Sequence, residues 1–413
     1  MGSMIGSGVF LLPASLAPFG GVSLLGWLVS AAGALALALV FARLAQFNPL
    51  TGGPYAFTRQ AYGDLAGFLV AWGYWISTWC TNAALAVAGV GYLDPFFPSI
   101  VRDPPRAATL AVAIVWLLTA VNVLGVRSAG RLQLVTTALK ILPLVVVGVA
   151  GIFAFDPSAF SVTGSALEIG KGTMATATLT LWAFLGLECA TIPAGRTADA
   201  ARTIPRATIV GTLLTAVIYI VATVGVMSLL DLSQLGKSTA PFADAARQLA
   251  GDGAAALVAV GAAISCFGAL NGWVLVVGQL PLAVAQEGLF PRAFARLSSR
   301  GTPAFAMIVA ACLSTGLVAM NYSRGLVDLF TFIILLSTLS TLVPYTFCSL
   351  AGIILHRRDQ RMPWSNGALV VSSFAFAYAL FAIGGAGAEV VFWGFLLLMA
   401  GLPLYALLTG PRS

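Results

Sequence analysis

The sequence predicts an all-α protein that crosses a membrane many times, and three observations support this. Hydrophobic residues make up 59% of the 413 residues and charged residues only 8%, whereas soluble domains carry about 25% charged residues. The mean hydropathy is +0.97. Apolar runs follow one another along the whole chain, with Pro, Gly and Arg between them. One helical bundle therefore accounts for the full length.

Twelve apolar segments predict twelve membrane spans. A complete span needs about 20 residues, and the first segment is shorter than that. We therefore expect the chain to begin inside its first membrane helix, with the preceding half-helix missing. The segments are residues 5–18, 22–46, 65–97, 107–126, 133–155, 172–195, 207–230, 253–286, 303–320, 326–355, 367–385 and 387–409.

The distribution of basic residues predicts the orientation. Loops after even-numbered spans hold thirteen Lys and Arg residues, and loops after odd-numbered spans hold six. Because cytoplasmic loops are enriched in Lys and Arg, the even-numbered loops are expected in the cytoplasm, together with the C-terminus. We expect a multi-pass protein of the cell (inner) membrane. The Pro/Gly-rich connection at residues 48–59 is expected to contain a short helix near the membrane surface.

The first apolar segment contains an interruption. Gly6, Ser7 and Gly8 are consecutive, and Pro13 follows in the same segment. In a helix interior Gly costs about 1 kcal/mol and Pro about 3 kcal/mol relative to Ala. Unwound backbone at membrane depth persists only where protein or a polar cavity satisfies it. This pattern favours a broken helix whose second half aims its N-terminal amides at an anionic substrate group. A loop or kink without a ligand is the alternative.

Span six predicts a second interruption. Residues 180–190 include Gly186 and Glu188, and Glu188 is the only carboxylate well inside an apolar run. An ionisable group at that depth is costly and by default marks a functional site. Structural pairing with backbone or a tyrosine is the alternative, and the two are compatible. If spans 1–5 and 6–10 are repeats, the interruptions match in position, which indicates a midplane binding site.

Three further spans place polar or aromatic groups on single helical faces. Taken singly, each group more often stabilises the packing of one helix against another than binds a ligand. Together they supply amides, hydroxyls and aromatic rings that suit a small zwitterion or cation. The residues are Tyr74, Thr78, Asn82 and Leu85 in span three, Ser337, Thr341 and Tyr345 in span ten, and Asn271 with Trp273 in span eight.

Other classes of function fit the sequence less well. An enzyme needs converging catalytic groups, and Glu188 is the only strong intramembrane candidate. A channel needs rings of carbonyls or charges, and no filter segment is repeated. The five cysteines form no CxxC pair and His356 is the only histidine, which argues against a metal site or a disulfide framework. The net charge of +7 is spread between apolar runs, which reflects topology and does not indicate nucleic acid.

A resemblance to a known family rests on six segments: GSGVFLLPA (6–14), GGPYAFTR (52–59), GVGYL (89–93), LWAFLGLE (181–188), STAPFADAAR (238–247) and LVPY (342–345). They resemble the amino acid–polyamine–organocation (APC) transporters. Within these, they are most similar to the basic amino acid/polyamine antiporters, nearest to the arginine/agmatine group. The similarity runs over essentially the whole chain.

The resemblance implies a fold and an activity. The fold is the twelve-helix, 5+5 inverted-repeat (LeuT-like) arrangement in one transporter domain. Residues 1–155 form a first repeat truncated at its N-terminus, residues 172–355 form the second, and residues 367–409 form two C-terminal helices. The activity is exchange of a cationic, arginine-like amino acid for its agmatine-like amine by alternating access. A homodimer in membrane lipid, without cofactor or metal, is implied.

The resemblance also implies roles for individual residues. Amides around Ser7 and Gly8 hold the substrate carboxylate, and carbonyls around Trp182 and Leu185 hold the α-amino group. Trp182 also stacks on the substrate and forms the outer gate. The side-chain pocket is lined by Met4, Ser77, Thr78, Asn82, Leu85, Trp273 and Ser337. The inner gate consists of Tyr74, Glu188 and Tyr345, and Tyr55 matches a cytoplasmic-side tyrosine linked to pH response.

Lys140 in span five leaves a second function open. Residues 138–143 are similar to the segment of proton-coupled and neutral amino-acid members of the superfamily in which a lysine takes the place of a sodium ion. A lysine that snorkels near the cytoplasmic end is the structural alternative. With Lys140 as a coupling residue, the chain is expected to be a proton-coupled neutral or broad-specificity amino acid permease.

Overall fold

The apolar runs form helices over most of the described chain. The computed structural model describes residues 4–6, 8–47, 53–125, 129–155, 157–191, 199–321, 323–359 and 365–409, with the backbone alone for residues 129–140 and a few others. The helices are α1 (Gly8–Leu16), α2 (Val22–Phe47), α3 (Pro54–Tyr62), α4 (Asp64–Gly91), α5 (Pro98–Val101), α6 (Pro104–Val123), α7 (Ala129–Ile152), α8 (Ala166–Leu181), α9 (Ala200–Leu229), α10 (Leu232–Leu235), α11 (Pro241–Gln286), α12 (Ala304–Met320), α13 (Leu326–Asp359), α14 (Asn366–Gly385), α15 (Ala388–Met399) and α16 (Gly401–Thr409).

Within the described residues each predicted span overlaps a helix, the last one α15 followed by α16. Seven described helical segments are long and apolar enough to cross a bilayer. The short helix expected before span three is α3. Helix α8 begins before the predicted start of span six because Ser165 and Glu168 form a capping box there: Glu168 Oε2 accepts from the Ser165 amide at 2.8 Å.

The contacts between helices follow the pattern expected of two five-helix repeats. The spans of the first repeat are α1, α2, α4, α6 and α7, and those of the second are α8, α9, α11, α12 and α13. The contact of α4 with α13 has its counterpart in α11 with α7, and that of α4 with α6 in α11 with α12. Helices at matching positions in the two repeats also pack against each other: α2 against α9, and α4 against α11. This is the predicted LeuT-like fold; the exact repeat boundaries remain a prediction.

Helix α11 is bent near the end of the bundle that holds residues 92–104 and 230–249, which is named the outer end, and the opposite one the inner end, after the predicted orientation. Ala250 (φ −147°, ψ 21°) and Gly251 (φ 77°, ψ −170°) leave the helical conformation, and the left-handed φ of Gly251 favours glycine. Residues 241–249 therefore form a separate outer helix. Hydropathy did not predict it, because Asp244 and Arg247 make it amphipathic.

The outside of the bundle is apolar, as a bilayer requires. Large side chains such as Leu117, Leu257 and Phe395 are more than half exposed on it. Contiguous apolar surface of this extent is unusual for a water-soluble protein. The polar side chains of spans three, six and ten lie in the interior, where the two repeats meet.

Candidate functional site

The first site element is the start of α1. Residues 4–6 are non-helical and α1 begins at Gly8; Ser7 lies outside the described residues. A Cβ atom at Gly6 would lie 3.4 Å from Leu85 Cδ2 and 3.5 Å from Ala269 Cβ, so α4 and α11 both pack against this segment. The carbonyl of Met4 accepts a hydrogen bond from the Tyr219 hydroxyl at 2.8 Å. The non-helical segment is thus held inside protein, as membrane depth requires.

The second interruption is present as predicted. Helix α8 ends at Leu181 and passes into a 3₁₀ turn, Trp182–Phe184. Leu185 is extended (φ −59°, ψ 137°) and Gly186 is left-handed (φ 98°), after which Leu187–Thr191 forms another 3₁₀ turn. A left-handed residue inside a helical run stops the i to i+4 hydrogen bonds. Glycine at 186 makes this possible, because it has no Cβ atom, whereas L-residues pay roughly 1–2 kcal/mol there.

Glu188 is the centre of a buried hydrogen-bond cluster. Its Oε1 atom accepts from the Tyr74 hydroxyl at 2.6 Å, and its Oε2 atom accepts from the Tyr345 hydroxyl at 2.5 Å and the Gly186 amide at 3.1 Å. Glu188 and Tyr345 are fully buried and Tyr74 is 3% exposed. The three predicted inner-gate residues therefore join α4, the second break and α13 through one carboxyl group. None of these partners is a cation, so a structural ion pair does not explain the acid.

Trp182 lies directly after α8 and is 5% exposed. Its ring contacts Phe330 of α13 edge to face, with centroids 5.5 Å apart and planes at 87°. Its indole N–H has no hydrogen-bond partner among the described residues. A buried donor without a partner costs about 1–3 kcal/mol. The residue thus offers an aromatic face and an unused donor beside the break.

Two predicted pocket residues meet between α4 and α13. Ser77 Oγ and Ser337 Oγ are 3.0 Å apart, and Ser337 also donates to the Ser77 carbonyl at 3.1 Å. Thr341 donates to Ser77 Oγ at 2.5 Å, and Thr81 lies 3.0 Å from Ser337. All four hydroxyls are buried. They form a continuous polar patch on the inner faces of the two helices.

The other predicted pocket residues are also buried, but they differ in how their polar atoms are satisfied. Thr78 donates to the Trp75 carbonyl of its own helix at 2.7 Å. Asn82, 2% exposed, has a side-chain oxygen without a partner among the described residues. Leu85 packs against the segment at Gly6, and Trp273 is 8% exposed. The amide of Asn82 is therefore the clearest unused acceptor in this region.

Tyr55 belongs to a separate network at the inner end of the bundle, the end that holds residues 53–62 and 287–303. Its hydroxyl donates to Glu287 Oε2 at 2.8 Å and accepts from Arg59 at 3.1 Å. Arg59 also contacts Glu287, and donates to Asp64 at 2.7 Å. Burial and the Glu287 carboxylate raise the pKa of the Tyr55 phenol. This network ties α3 to the end of α11.

Sequence reasoning missed several residues that contact the site. Thr81, Ala269 and Phe330 carried no local signal that separates them from packing residues. Tyr219 did carry a local signal, because it places a hydroxyl group inside the apolar run of span seven. Lys140 is a helical position of α7 whose side chain lies outside the described part of the chain, so its coupling role stays a prediction.

Two repeats whose first helices are interrupted by buried non-helical segments are typical of secondary transporters. The family model described as amino acid permease matches residues 1–409. The chain therefore belongs to the amino acid permease family of the APC superfamily, within the basic amino acid/polyamine antiporters. This is a family of transporters and not of enzymes.

Three similar proteins illustrate the relationship. A cadaverine/lysine antiporter of Escherichia coli (strain K12) is 36% identical over 356 residues, which covers 84% of this chain and 79% of that protein. A putative arginine/ornithine antiporter of Bacillus subtilis (strain 168) is 33% identical over 443 residues, covering 98% and 94%. The putrescine transporter PotE of Escherichia coli (strain K12) is 30% identical over 427 residues, covering 100% and 94%.

Proposed function

We propose that the protein exchanges a cationic amino acid for its decarboxylated amine across the cytoplasmic membrane by alternating access. Arginine and agmatine are the first pair to test. The relatives' names support the class, since lysine with cadaverine and arginine with ornithine are pairs of basic amino acids or amines. The arginine/agmatine choice rests on the six sequence segments that resemble that group.

The second break carries the proposal. Where α8 stops at Leu181, its last carbonyls lose their intrahelical donors, and the helix end bears a partial negative charge. Trp182 presents its ring at the same point. An ammonium or guanidinium group there is attracted by both, and a desolvated cation–π contact is worth about 2 kcal/mol. The N-terminus of α1 at Gly8 offers the opposite partial charge for a carboxylate.

The patch between α4 and α13 suits the far end of the substrate. Ser77, Ser337 and the Asn82 amide provide oxygen acceptors, and acceptors are what a guanidinium or ammonium group needs. The walls formed by Leu85 and Met4 are apolar and fit a methylene chain. A zwitterion with a cationic tail therefore finds a partner for each of its groups.

Exchange follows from the contacts that a substrate makes when the site is closed. The inner end is closed by the cluster of Glu188, Tyr74 and Tyr345. The Asn82 oxygen is buried without a partner among the described residues and can accept from the cationic tail of either substrate, whereas the Trp182 N–H can donate only to the carboxylate of the amino acid. Occupied closed states are therefore more stable than empty ones, and the carrier reorients mainly when loaded.

Counterflow in proteoliposomes tests this proposal. Labelled arginine is added outside vesicles that contain arginine, agmatine, lysine, cadaverine, ornithine, putrescine or buffer alone. We expect uptake only when a cation is inside, with the fastest internal partner identifying the pair. Equal uptake into buffer-loaded vesicles refutes exchange, and uptake of neutral amino acids driven by an imposed pH gradient supports the proton-coupled permease instead.

A pair of variants tests the placement of the site. Trp182→Ala removes the ring beside the break, and Trp393→Ala removes a ring that is 43% exposed on the apolar surface. We expect the first to lower the exchange rate at least tenfold through lost stacking (about 2 kcal/mol), and the second to keep the parent rate. Equal rates for the two variants contradict the site at the second break.

The proposal includes an assembly and an orientation. We expect a homodimer in which each copy carries a complete site, and a cytoplasmic C-terminus, as the basic loops indicate. A cysteine introduced at Ser413 should react with an impermeant maleimide only from the cytoplasmic side. Reaction from the outside would reverse the orientation.

A further inference from the structure

Tyr92 connects three elements through one buried hydroxyl group. It follows directly after α4 and is fully buried. Its hydroxyl donates to the Phe10 carbonyl of α1 at 2.6 Å and accepts from the Phe242 backbone N–H of the outer helix at 3.4 Å. One side-chain atom therefore contacts both α1 and the helix that covers the outer end of the bundle.

The outer helix depends on this contact at its start. The first backbone N–H groups of a helix have no intrahelical acceptor, and Ala240, the residue before the helix, has no side-chain oxygen to supply one. The Tyr92 hydroxyl takes that place for Phe242. The rings pack as well: Phe10 meets Tyr92 at 5.7 Å (76°) and Phe242 at 5.5 Å (72°). Phe10 and Phe242 are both fully buried.

The helical conformation is broken at the far end of the outer helix. Ala250 and Gly251 break α11, and the left-handed φ of Gly251 separates residues 241–249 from the spanning part. No continuous helix therefore fixes the outer helix to the α11 span. Its buried residues Phe242, Ala243, Ala245 and Ala246 attach it to the bundle instead, and the Phe242 N–H is the group that reaches α1 and α4 through Tyr92.

We infer that Tyr92 is a positioning residue that makes the outer helix and α1 move as one unit. The inference rests on the proposed function, in which the N-terminus of α1 binds the substrate's anionic group. Substrate binding at α1 then reaches the outer helix through the Phe10 carbonyl and the Tyr92 hydroxyl. Tyr92 does not touch the substrate; it sets when the outer helix closes.

Tyr92→Phe is the test variant, because it removes the hydroxyl and keeps the ring contacts. Tyr378→Phe is the matched control: Tyr378 is 4% exposed, and its hydroxyl has no hydrogen-bond partner among the described residues. The reporter is Ala246→Cys, 3% exposed in the outer helix, with the exposed Cys312 replaced by Ser. The rate at which an impermeant maleimide added from outside labels this cysteine measures how often the outer helix moves away from the bundle.

We expect Tyr92→Phe to label about fivefold faster than the parent in the absence of substrate, the effect of one lost hydrogen bond. We also expect saturating arginine to change labelling in the parent and in Tyr378→Phe, but not in Tyr92→Phe. Parent-like labelling and a parent-like arginine response in Tyr92→Phe would overturn the inference. An equal rise in the labelling of the buried Cys80 would also overturn it, since it means general loosening.

The two arms separate this inference from the proposed function. The labelling rate measured without substrate tests whether Tyr92 holds the outer helix in place, and this test does not depend on arginine being a substrate. If arginine affects none of the proteins while the Tyr92→Phe rate still rises, the coupling contact stands and the choice of substrate fails.

Discussion

Replacing Glu188 by Gln tests whether the buried carboxyl group holds the inner end closed. Glu188 accepts from Tyr74 on one oxygen, and from Tyr345 and the Gly186 amide on the other. A Gln side chain has nearly the same shape but only one oxygen, and its NH₂ group is a donor. One side of the cluster must therefore lose its acceptor. The variant changes the hydrogen bonding without creating a cavity.

The magnitude follows from the number of bonds lost. A hydrogen bond to a charged group contributes about 1.5–3 kcal/mol net, and 1.36 kcal/mol corresponds to a tenfold change. Losing one phenol contact therefore destabilises the closed inner end by a factor of about 10 to 100. Because the outward-facing state becomes less populated, we expect the half-saturation concentration for external substrate to rise at least tenfold.

The assay is the initial rate of exchange in proteoliposomes as a function of external substrate, with the thermal unfolding midpoint measured in parallel. Glu389→Gln is the matched control. Glu389 is a carboxylate on the surface, with its side chain 56% exposed and paired with Arg324, and such exposed ion pairs contribute about 0–1 kcal/mol. If Glu188→Gln and Glu389→Gln both transport like the parent, the inner-gate role is refuted.

Four further variants test other parts of the site. Trp182→Phe keeps an aromatic face, so its initial exchange rate should lie between those of the parent and Trp182→Ala; a rate at the alanine level would argue against stacking. Asn82→Ala loses no hydrogen bond to its side-chain oxygen within the described structure, so its unfolding midpoint should stay near that of the parent, while the KM for arginine rises more than that for putrescine; equal shifts would place Asn82 away from the substrate tail. Tyr55→Phe should lower the rate by the same factor at about pH 5 and about pH 8, because the raised pKa keeps the phenol neutral throughout, above the ordinary value of about 10; a ratio that varies with pH would implicate its ionisation. Gly186→Ala forces a left-handed alanine and should reduce the free energy of unfolding by about 1–2 kcal/mol, whereas Gly253→Ala in open space should not; equal midpoints would contradict the break.

The sequence predicted the positions of the spans and of the second break well. It predicted less well which residues contact Glu188 at that break. Gly186 and Glu188 stand out in the sequence because a flexible residue and an acid are unusual in an apolar run. That Tyr74 and Tyr345 both meet Glu188 was an expectation from family resemblance, and the structure places them in contact. Local pattern alone left these residues on three separate helices.

The contacts that sequence reasoning missed join distant parts of the chain. Tyr219 donates to Met4 across 215 positions, and Tyr92 joins Phe10 to the outer helix. Helical periodicity tells which face of a helix is polar, but not which carbonyl on another helix that face meets. The outer helix was missed for a related reason: its charged residues lower its hydropathy below that of a span.

The sequence by itself determined that this chain is a polytopic helical membrane protein with weak points in its first and sixth spans. These features are local. A bilayer requires long apolar helices, and a glycine or an acid within such a helix is visible in the sequence of that segment alone. Only the tertiary structure decided which groups meet at those weak points: the phenols around Glu188, the hydroxyls shared by α4 and α13, and the tyrosine hydroxyls on the carbonyls of Met4 and Phe10. These contacts form between helices whose packing depends on the whole chain, so no single segment encodes them.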